Sequence, residues 1–289
     1  MGLESMRAFA APALLAAACV VGRAVPLPAP AHPQDLRAAP SAPVTRAERE
    51  AFLSGANIVG EAELSSGARQ PWRVSLDDGR RKHDATVQTS TSRDRSERDY
   101  RHNIAAYELD KALELNLVSP SVERTVNGQP AAVTWWVDDV LMDELTRRRQ
   151  KIEPPDLEGW NRQVQAVRVF DELMANAYRK VSPASYLSTV WDNLLITRGW
   201  RIRLIDHTRT FGTARELENP ESLTRCDRTL LNRLRQLNAG ALKQQLGRYL
   251  TSEQLDALET RRALIVKCFD EQIASRGESA VLYDLPARQ

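Results

Sequence analysis

Apolar and polar residues along the chain divide it into a strand-bearing stretch followed by a helical one. Runs at 58–64, 72–76 and 85–89 carry the residue types and two-residue period of strands. They are separated by Ser65-Ser66-Gly67 and Asp77-Asp78-Gly79, which turn the chain because Gly accepts positive φ and Asp or Ser bonds its own backbone. Ile104, Ala105, Leu109, Ala112 and Leu113 then recur at helical spacing, predicting a helix over 99–115. Two more strands, 121–126 and 131–137, flank Asn127-Gly128, a dipeptide that favours a two-residue hairpin. After Asp138 the period becomes helical, with helices predicted over 157–176, 228–238, 241–250 and 253–276. Thr45 and Glu48 form a capping box that opens a short helix through Leu53, Thr251 and Gln254 form another, and Gly277 stops the last helix.

One hairpin interrupts the helical half. Segments 194–197 and 200–205 are joined by Arg198-Gly199, where Gly is expected to supply the positive φ of a tight turn. Trp200, Ile202 and Leu204 share one face, and Arg201 and Arg203 the other, which is expected to be solvated. Asn193 and Asp206, 13 positions apart, occupy the open ends, which a hairpin brings together. Two short oxygen-bearing side chains so placed suit a Mg²⁺ ion that keeps several waters and draws other ligands from phosphates. An ordinary polar rim is the other reading of the same pair.

Strands first and helices second predict an α+β fold in two lobes, an N-lobe at 45–138 and a C-lobe at 139–289, with a cleft between them. The 289 residues, 42% of them hydrophobic, suffice for a real core. With 40 Lys and Arg against 38 Asp and Glu, the net charge of +2 gives no strong attraction to nucleic acid or to an acidic membrane. Arg7 precedes the apolar run 8–22, which has signal-peptide length and is too short to span a bilayer comfortably. Residues 1–24 therefore predict export to a periplasmic or extracellular site, with cleavage after Ala24. Ala16-Ala17-Ala18-Cys19 leaves open a lipid anchor on Cys19 instead. The Pro- and Ala-rich run 25–44 is expected to be an extended tether. In an oxidising compartment Cys226 and Cys268 are able to pair, and buried free thiols are the alternative. No HExxH, CxxC, Walker A, GxSxG or GxGxxG motif occurs.

The order of these elements, together with YRHNIAAYELDKALELNLVSPSVER (100–124), VFDEL (169–173), DNLLI (192–196) and RLIDHTRTF (203–211), resembles the protein-kinase-like fold. The likeness is to its atypical branches, the lipid-kinase-like and HipA-like proteins, and to an uncharacterised bacterial group of secreted kinase-like proteins. That group's C-terminal signature is similar to ENPESLTRCDR at 218–228, and the likeness covers roughly 50–285. The resemblance implies Asn193 and Asp206 as metal ligands, and Ser65, Ser66 and Gly67 as the loop over the phosphates of ATP. It also implies a phosphate-binding Lys on the third strand and a Glu on the helix to orient it. Gln88 and Asn103 stand at those places, able to hydrogen-bond as a neutral pair, while Lys82 lies before the strand and Glu108 one turn further along the helix. The base that orients an acceptor hydroxyl falls on Ser188 or Tyr178, leaving Asp192 as the loop's only carboxylate.

These matches and departures imply a pseudokinase or weak nucleotide binder, with an active Mg-ATP phosphotransferase acting on a protein or small-molecule acceptor as the alternative. Four further features each carry two readings. His207 is a base or ligand, or a structural hydrogen-bonding residue. Arg209 reaches a phosphate, or pairs with Asp171 or Glu172. Trp135 and Trp136 line an adenine pocket or fill the core. Arg147, Arg148, Arg149 and Lys151 form a solvated helix face, or contact phosphate or membrane.

Overall fold

The computed structural model describes residues 44–63, 71–89, 99–176 and 193–285, and the segment from Val44 onwards is one compact unit. Helix α1 (Arg46–Gly55) opens it behind the Thr45 capping box: Glu48 N donates to Thr45 Oγ1 at 3.2 Å and Thr45 N to Glu48 Oε2 at 2.7 Å. Strands β1 (Asn57–Glu63), β2 (Trp72–Asp77) and β3 (Lys82–Thr89) follow, then helix α2 (Arg101–Ala112), then β4 (Ser121–Val126) and β5 (Gln129–Trp135). The five strands form one antiparallel sheet in the order β1-β2-β3-β5-β4. Asn127 (φ 50°) and Gly128 (φ 77°) make the expected hairpin turn, since both central positions need a left-handed backbone.

The sheet buries its two faces differently. Alternate residues Val74, Leu76, Ala85, Val87, Val133 and Trp135 pack with Phe52 and Leu53 of α1. On the opposite face, Ala132 meets Tyr100 and Ile104 at the start of α2. Helix α2 is buried almost all round because it lies against both β4 and β5 and a helix of the second lobe. It therefore ties the sheet to the rest of the molecule.

Beyond β5 the chain enters β6 (Val140–Asp143), α3 (Glu144–Arg149), α4 (Leu157–Met174) and the hairpin strands β7 (Leu194–Thr197) and β8 (Ile202–Leu204). A short strand β9 (Cys226–Asp227), helices α5 (Arg228–Gln236), α6 (Ala239–Leu246), α7 (Ser252–Arg276) and α8 (Glu278–Val281), and strand β10 (Leu282–Tyr283) complete it. Strand β10 pairs in parallel with β9. The second core gathers α4, the hairpin and α5 to α7 around buried Phe170, Leu173, Ile196, Ile202, Leu231 and Phe269. Each such large side chain contributes about 1.5–3 kcal/mol by leaving water.

The structure corrects four expectations. The hairpin is not isolated, because β6 pairs with β7 to make a three-stranded sheet; four residues with a bulge between Val140 and Met142 were too short to show a period. The left-handed residue of its turn is Trp200 (φ 56°), not Gly199. Gln163 holds that conformation by donating to Trp200 O at 3.0 Å and accepting from Ile202 N at 3.1 Å. Arg203 is half-buried, with Nη1 donating to Asn116 O at 2.6 Å, and burial lowers its pKa. The basic run at 147–151 is not a uniformly solvated face: Arg147 lies over Trp160 at 5.1 Å and, with Arg148, holds the buried carboxylate of Glu144. Cys226 and Cys268 are free thiols, and burial raises the pKa of Cys226. Among the described residues, no helix is long and apolar enough to cross a membrane.

Candidate functional site

Hairpin register places the polar ends. Leu194 pairs with Leu204, so the next step outward sets Asn193 opposite Ile205, whose N–H donates to Asn193 O at 3.1 Å. Asp206 follows in a left-handed conformation (φ 51°), a region that short polar Asp tolerates better than most residues. Thr208 Oγ1 donates to Asp206 Oδ1 at 2.7 Å, leaving Oδ2 without a hydrogen bond among the described residues. Asp206 is exposed and lines a cavity of about 410 Å³, whereas Asn193 adjoins it through the backbone without forming part of the wall.

The cavity separates the five-stranded sheet from the hairpin. Its roof is Thr86, Gln88 and Thr134, the residues that alternate with the core-facing Ala85, Val87 and Val133. Its floor is Leu195, Leu204 and Ile205. Trp135 and Trp136 line the back, so the choice between core and pocket resolves into both. Trp135 is buried against Phe52, with its ring stacked on His83 at 3.6 Å, and Trp136 sits under Arg73 at 4.3 Å. Among the described residues of the wall, the only charged ones are Asp138 and Asp206. Asp138 Oδ2 is 2.6 Å from His83 Nε2.

The hydrogen bond expected between Gln88 and Asn103 is present: Asn103 Nδ2 donates to Gln88 Oε1 at 2.7 Å. Asn103 Oδ1 accepts from His207 N at 2.8 Å, which fixes the orientation of the amide. One buried side chain on α2 thus joins β3 to the residue after Asp206. The alternatives lie elsewhere. Glu108 accepts from Lys111 at 2.8 Å, and Lys82 is the exposed first residue of β3, paired with Asp77 at the end away from Gln88. Ser65, Ser66 and Gly67, and Asp192 with Tyr178 and Ser188, lie outside the described residues.

Other residues of this region carried no periodic signal. His102, the neighbour of Asn103, donates from Nδ1 to Thr208 O at 3.3 Å and accepts at Nε2 from Gln254 at 3.3 Å, with Phe211 edge-on at 5.6 Å. His207 is itself buried, its carbonyl accepting from Thr210 Oγ1 at 2.7 Å. Glu172, a suggested partner of the exposed Arg209, accepts from Glu218 N at 2.8 Å and Asn219 N at 3.0 Å. The DHTRTF run was legible as a motif, but not the contacts of Thr208 and Phe211.

Burial holds the His102 imidazole below its ordinary pKa of 6.5; Arg101 adds to this, while Asp99 and the bond to Thr208 oppose it. Between the lowered folded value and 6.5, the unfolded chain binds a proton that the folded chain does not. The His102 contribution is therefore complete above pH 6.5 and is lost as pH falls through that window. Melting temperature is expected to fall between about pH 7 and pH 5, and His102→Gln to flatten the fall. An unchanged slope in the variant would remove His102 as its source.

Chemically, Asp206 offers one free carboxylate oxygen beside the Asn193 strand end. Among the described residues, no group of three or more His, Cys, Asp or Glu side chains forms a metal cage. This donor set fits a hydrated divalent cation that takes its remaining ligands from a phosphorylated molecule. The apolar walls and the two tryptophans suit a flat ring.

No protein-family model and no curated protein matches the chain. Solved structures do. The structure of hydra Fam20 with sugar is similar at TM-score 0.61 and 17% identity, over 82% of this chain and 92% of that one. The Golgi casein kinase with Mn/ADP bound is similar at TM-score 0.55 and 13% identity, over 84% and 80%. A second structure of the Golgi casein kinase gives 0.54 and 12%, over 83% and 80%. At these identities the likeness is one of fold, and the chain has the two-lobed α+β architecture of an atypical protein-kinase-like protein.

Proposed function

We propose that this chain is an exported pseudokinase, of the bacterial secreted kinase-like group that its motifs resemble. Its interlobe cleft binds a nucleotide weakly, with Asp206 and the neighbouring Asn193 as a residual Mg²⁺ or Mn²⁺ site. The observation that carries the reading is the Gln88–Asn103 bond. It keeps strand and helix in the spacing of an ion pair while supplying no positive charge. Phosphoryl transfer depends chiefly on positioning and on neutralising the charge of the phosphate oxygens, so loss of that cation removes catalysis before it removes binding. The divalent ion, when bound, supplies charge neutralisation; Asp206 would hold it, and Asn103 and Thr208 would hold the segment that carries Asp206.

An active Mg-ATP phosphotransferase with an unidentified protein or small-molecule acceptor is the second reading. It is favoured by the exposed, half-engaged carboxylate of Asp206 and by the likeness to a Golgi casein kinase holding Mn/ADP. Export to the periplasm or outside the cell, including the choice of a lipid anchor at Cys19, rests on the pattern of residues 1–24.

A thermal-shift titration tests both readings. ATP at about ten times its Kd, with Mg²⁺ or Mn²⁺, is expected to raise the melting temperature by about 3–5 °C, with a smaller rise when the metal is chelated. Asp206→Ala should abolish the metal-dependent part and Lys82→Ala should retain it. No shift at millimolar nucleotide would sink nucleotide binding. Steady release of ADP, absent in Asp206→Ala, would establish the second reading over the first.

A further inference from the structure

We propose that a second cavity, of about 190 Å³ and walled by α3, α4 and the 219–222 segment, is a receptor for a small tetrahedral oxyanion, with the Arg168 guanidinium as its main contact and Arg148 beside it. The ligand class is inorganic phosphate or the phosphoryl group of a phosphomonoester. This site is separate from the cleft at Asp206 and does not depend on nucleotide binding there.

The case begins with Arg168, which is half-buried on α4 and faces this cavity. It has neither a hydrogen bond nor an ion pair among the described residues. On a helix its natural partners are the acids three and four positions ahead, Asp171 and Glu172. Both are turned to other donors: Glu172 accepts from the backbone N–H of Glu218 and Asn219, and Asp171 Oδ1 accepts from Asn176 Nδ2 at 3.0 Å. The third acid of the wall, Glu144, is buried and occupied by Arg147 (2.6 and 2.9 Å) and Arg148 (2.7 Å). The three carboxylates are thus committed, while the Arg168 guanidinium is not paired among the described residues. Three guanidiniums, Arg147, Arg148 and Arg168, share one small cavity, and Arg168 feels it: burial first, and the charge of Arg148 second, pull its pKa down. An arginine stays protonated through such a shift, so the unfavourable charge persists until an anion arrives. Planar guanidinium N–H pairs match the oxygens of phosphate, and Asn219 and Ser222 add short polar side chains to the wall.

The experiment is differential scanning fluorimetry of the full chain in a zwitterionic buffer at fixed ionic strength, with inorganic phosphate, phosphoserine or chloride added. Phosphate is expected to raise the melting temperature by about 4 °C at twenty times its Kd, while chloride does not. A shift with phosphate alone assigns the site to the free ion; a shift with phosphoserine as well assigns it to the phosphoryl group. Arg168→Met should abolish the shift and raise the melting temperature in anion-free buffer, because it removes an unpaired charge and keeps the apolar stem. Asp206→Ala should leave the shift intact. The proposal is overturned if neither anion shifts the wild type, if the shift survives in Arg168→Met, if it disappears in Asp206→Ala, or if Arg168→Met is less stable without anion. Should that variant fail to fold, Arg168→Gln provides the same comparison.

Discussion

Replacing Phe211 with alanine is expected to lower the free energy of unfolding by about 3–5 kcal/mol, read as a lower urea midpoint at unchanged slope. Phe211 is fully buried in the second core, and its ring meets His102 of α2. Its backbone N–H donates to Met174 O at 2.6 Å, at the end of α4, and its φ of 58° is one that a bulky residue rarely adopts. The surroundings must therefore hold it there, and the ring is the means by which they do. Alanine leaves the left-handed strain in place and adds a cavity. Because Phe211 does not line the cleft, any loss of nucleotide response in the variant would be indirect, through the segment that carries Asp206 and His207. A cost under about 1 kcal/mol would show that this segment is anchored elsewhere.

Arg261→Ala is expected to cost a similar amount, about 3–5 kcal/mol, for an electrostatic reason. Arg261, on α7, is 1% exposed and is the largest fully buried side chain of the molecule's described part. Its Nε donates to Leu173 O at 3.0 Å, and its Nη1 to Gly212 O at 3.2 Å and to Ala214 O. One side chain thus closes the end of α4 and the loop after Phe211 onto α7. Desolvation pulls its pKa down to about 10, partly opposed by Glu172. Since the folded value lies below the unfolded one, stability rises with pH only above about 10, and at neutral pH the guanidinium is charged in both states. Its burial cost is offset by those carbonyl bonds, and alanine leaves the carbonyls buried and unpaired. Arg261→Lys is not expected to rescue, because one ammonium cannot replace a fork that reaches three carbonyls. Equal stability of the Lys variant in urea titration would refute this account.

The arrangement of Asp206, Phe211 and Arg261 explains where reading the chain in one dimension stopped. The hairpin with Asn193 and Asp206 at its ends was legible, because turn chemistry and alternation act between near neighbours. The α2 period and the Asn127-Gly128 turn were legible for the same reason. Strand β6 escaped because four residues carry no period, and it exists through its pairing with β7. The left-handed φ went to Trp200 rather than Gly199 because Gln163, far away in the chain, bonds both Trp200 O and Ile202 N. The solvated face assigned to Arg203 failed because Asn116 covers it.

By itself, the sequence determined the α+β division, most helix and strand positions and the polar ends of the hairpin, since each depends on residue type or on neighbours within a few positions. Tertiary structure alone decided that Asn103 reaches 104 residues to the backbone of His207, that Asp206 faces the cleft while Asn193 stands outside its wall, and that Arg168 has no partner among the described residues. Those facts depend on which distant groups compete for the same hydrogen bonds, and that competition is settled only when the lobes pack.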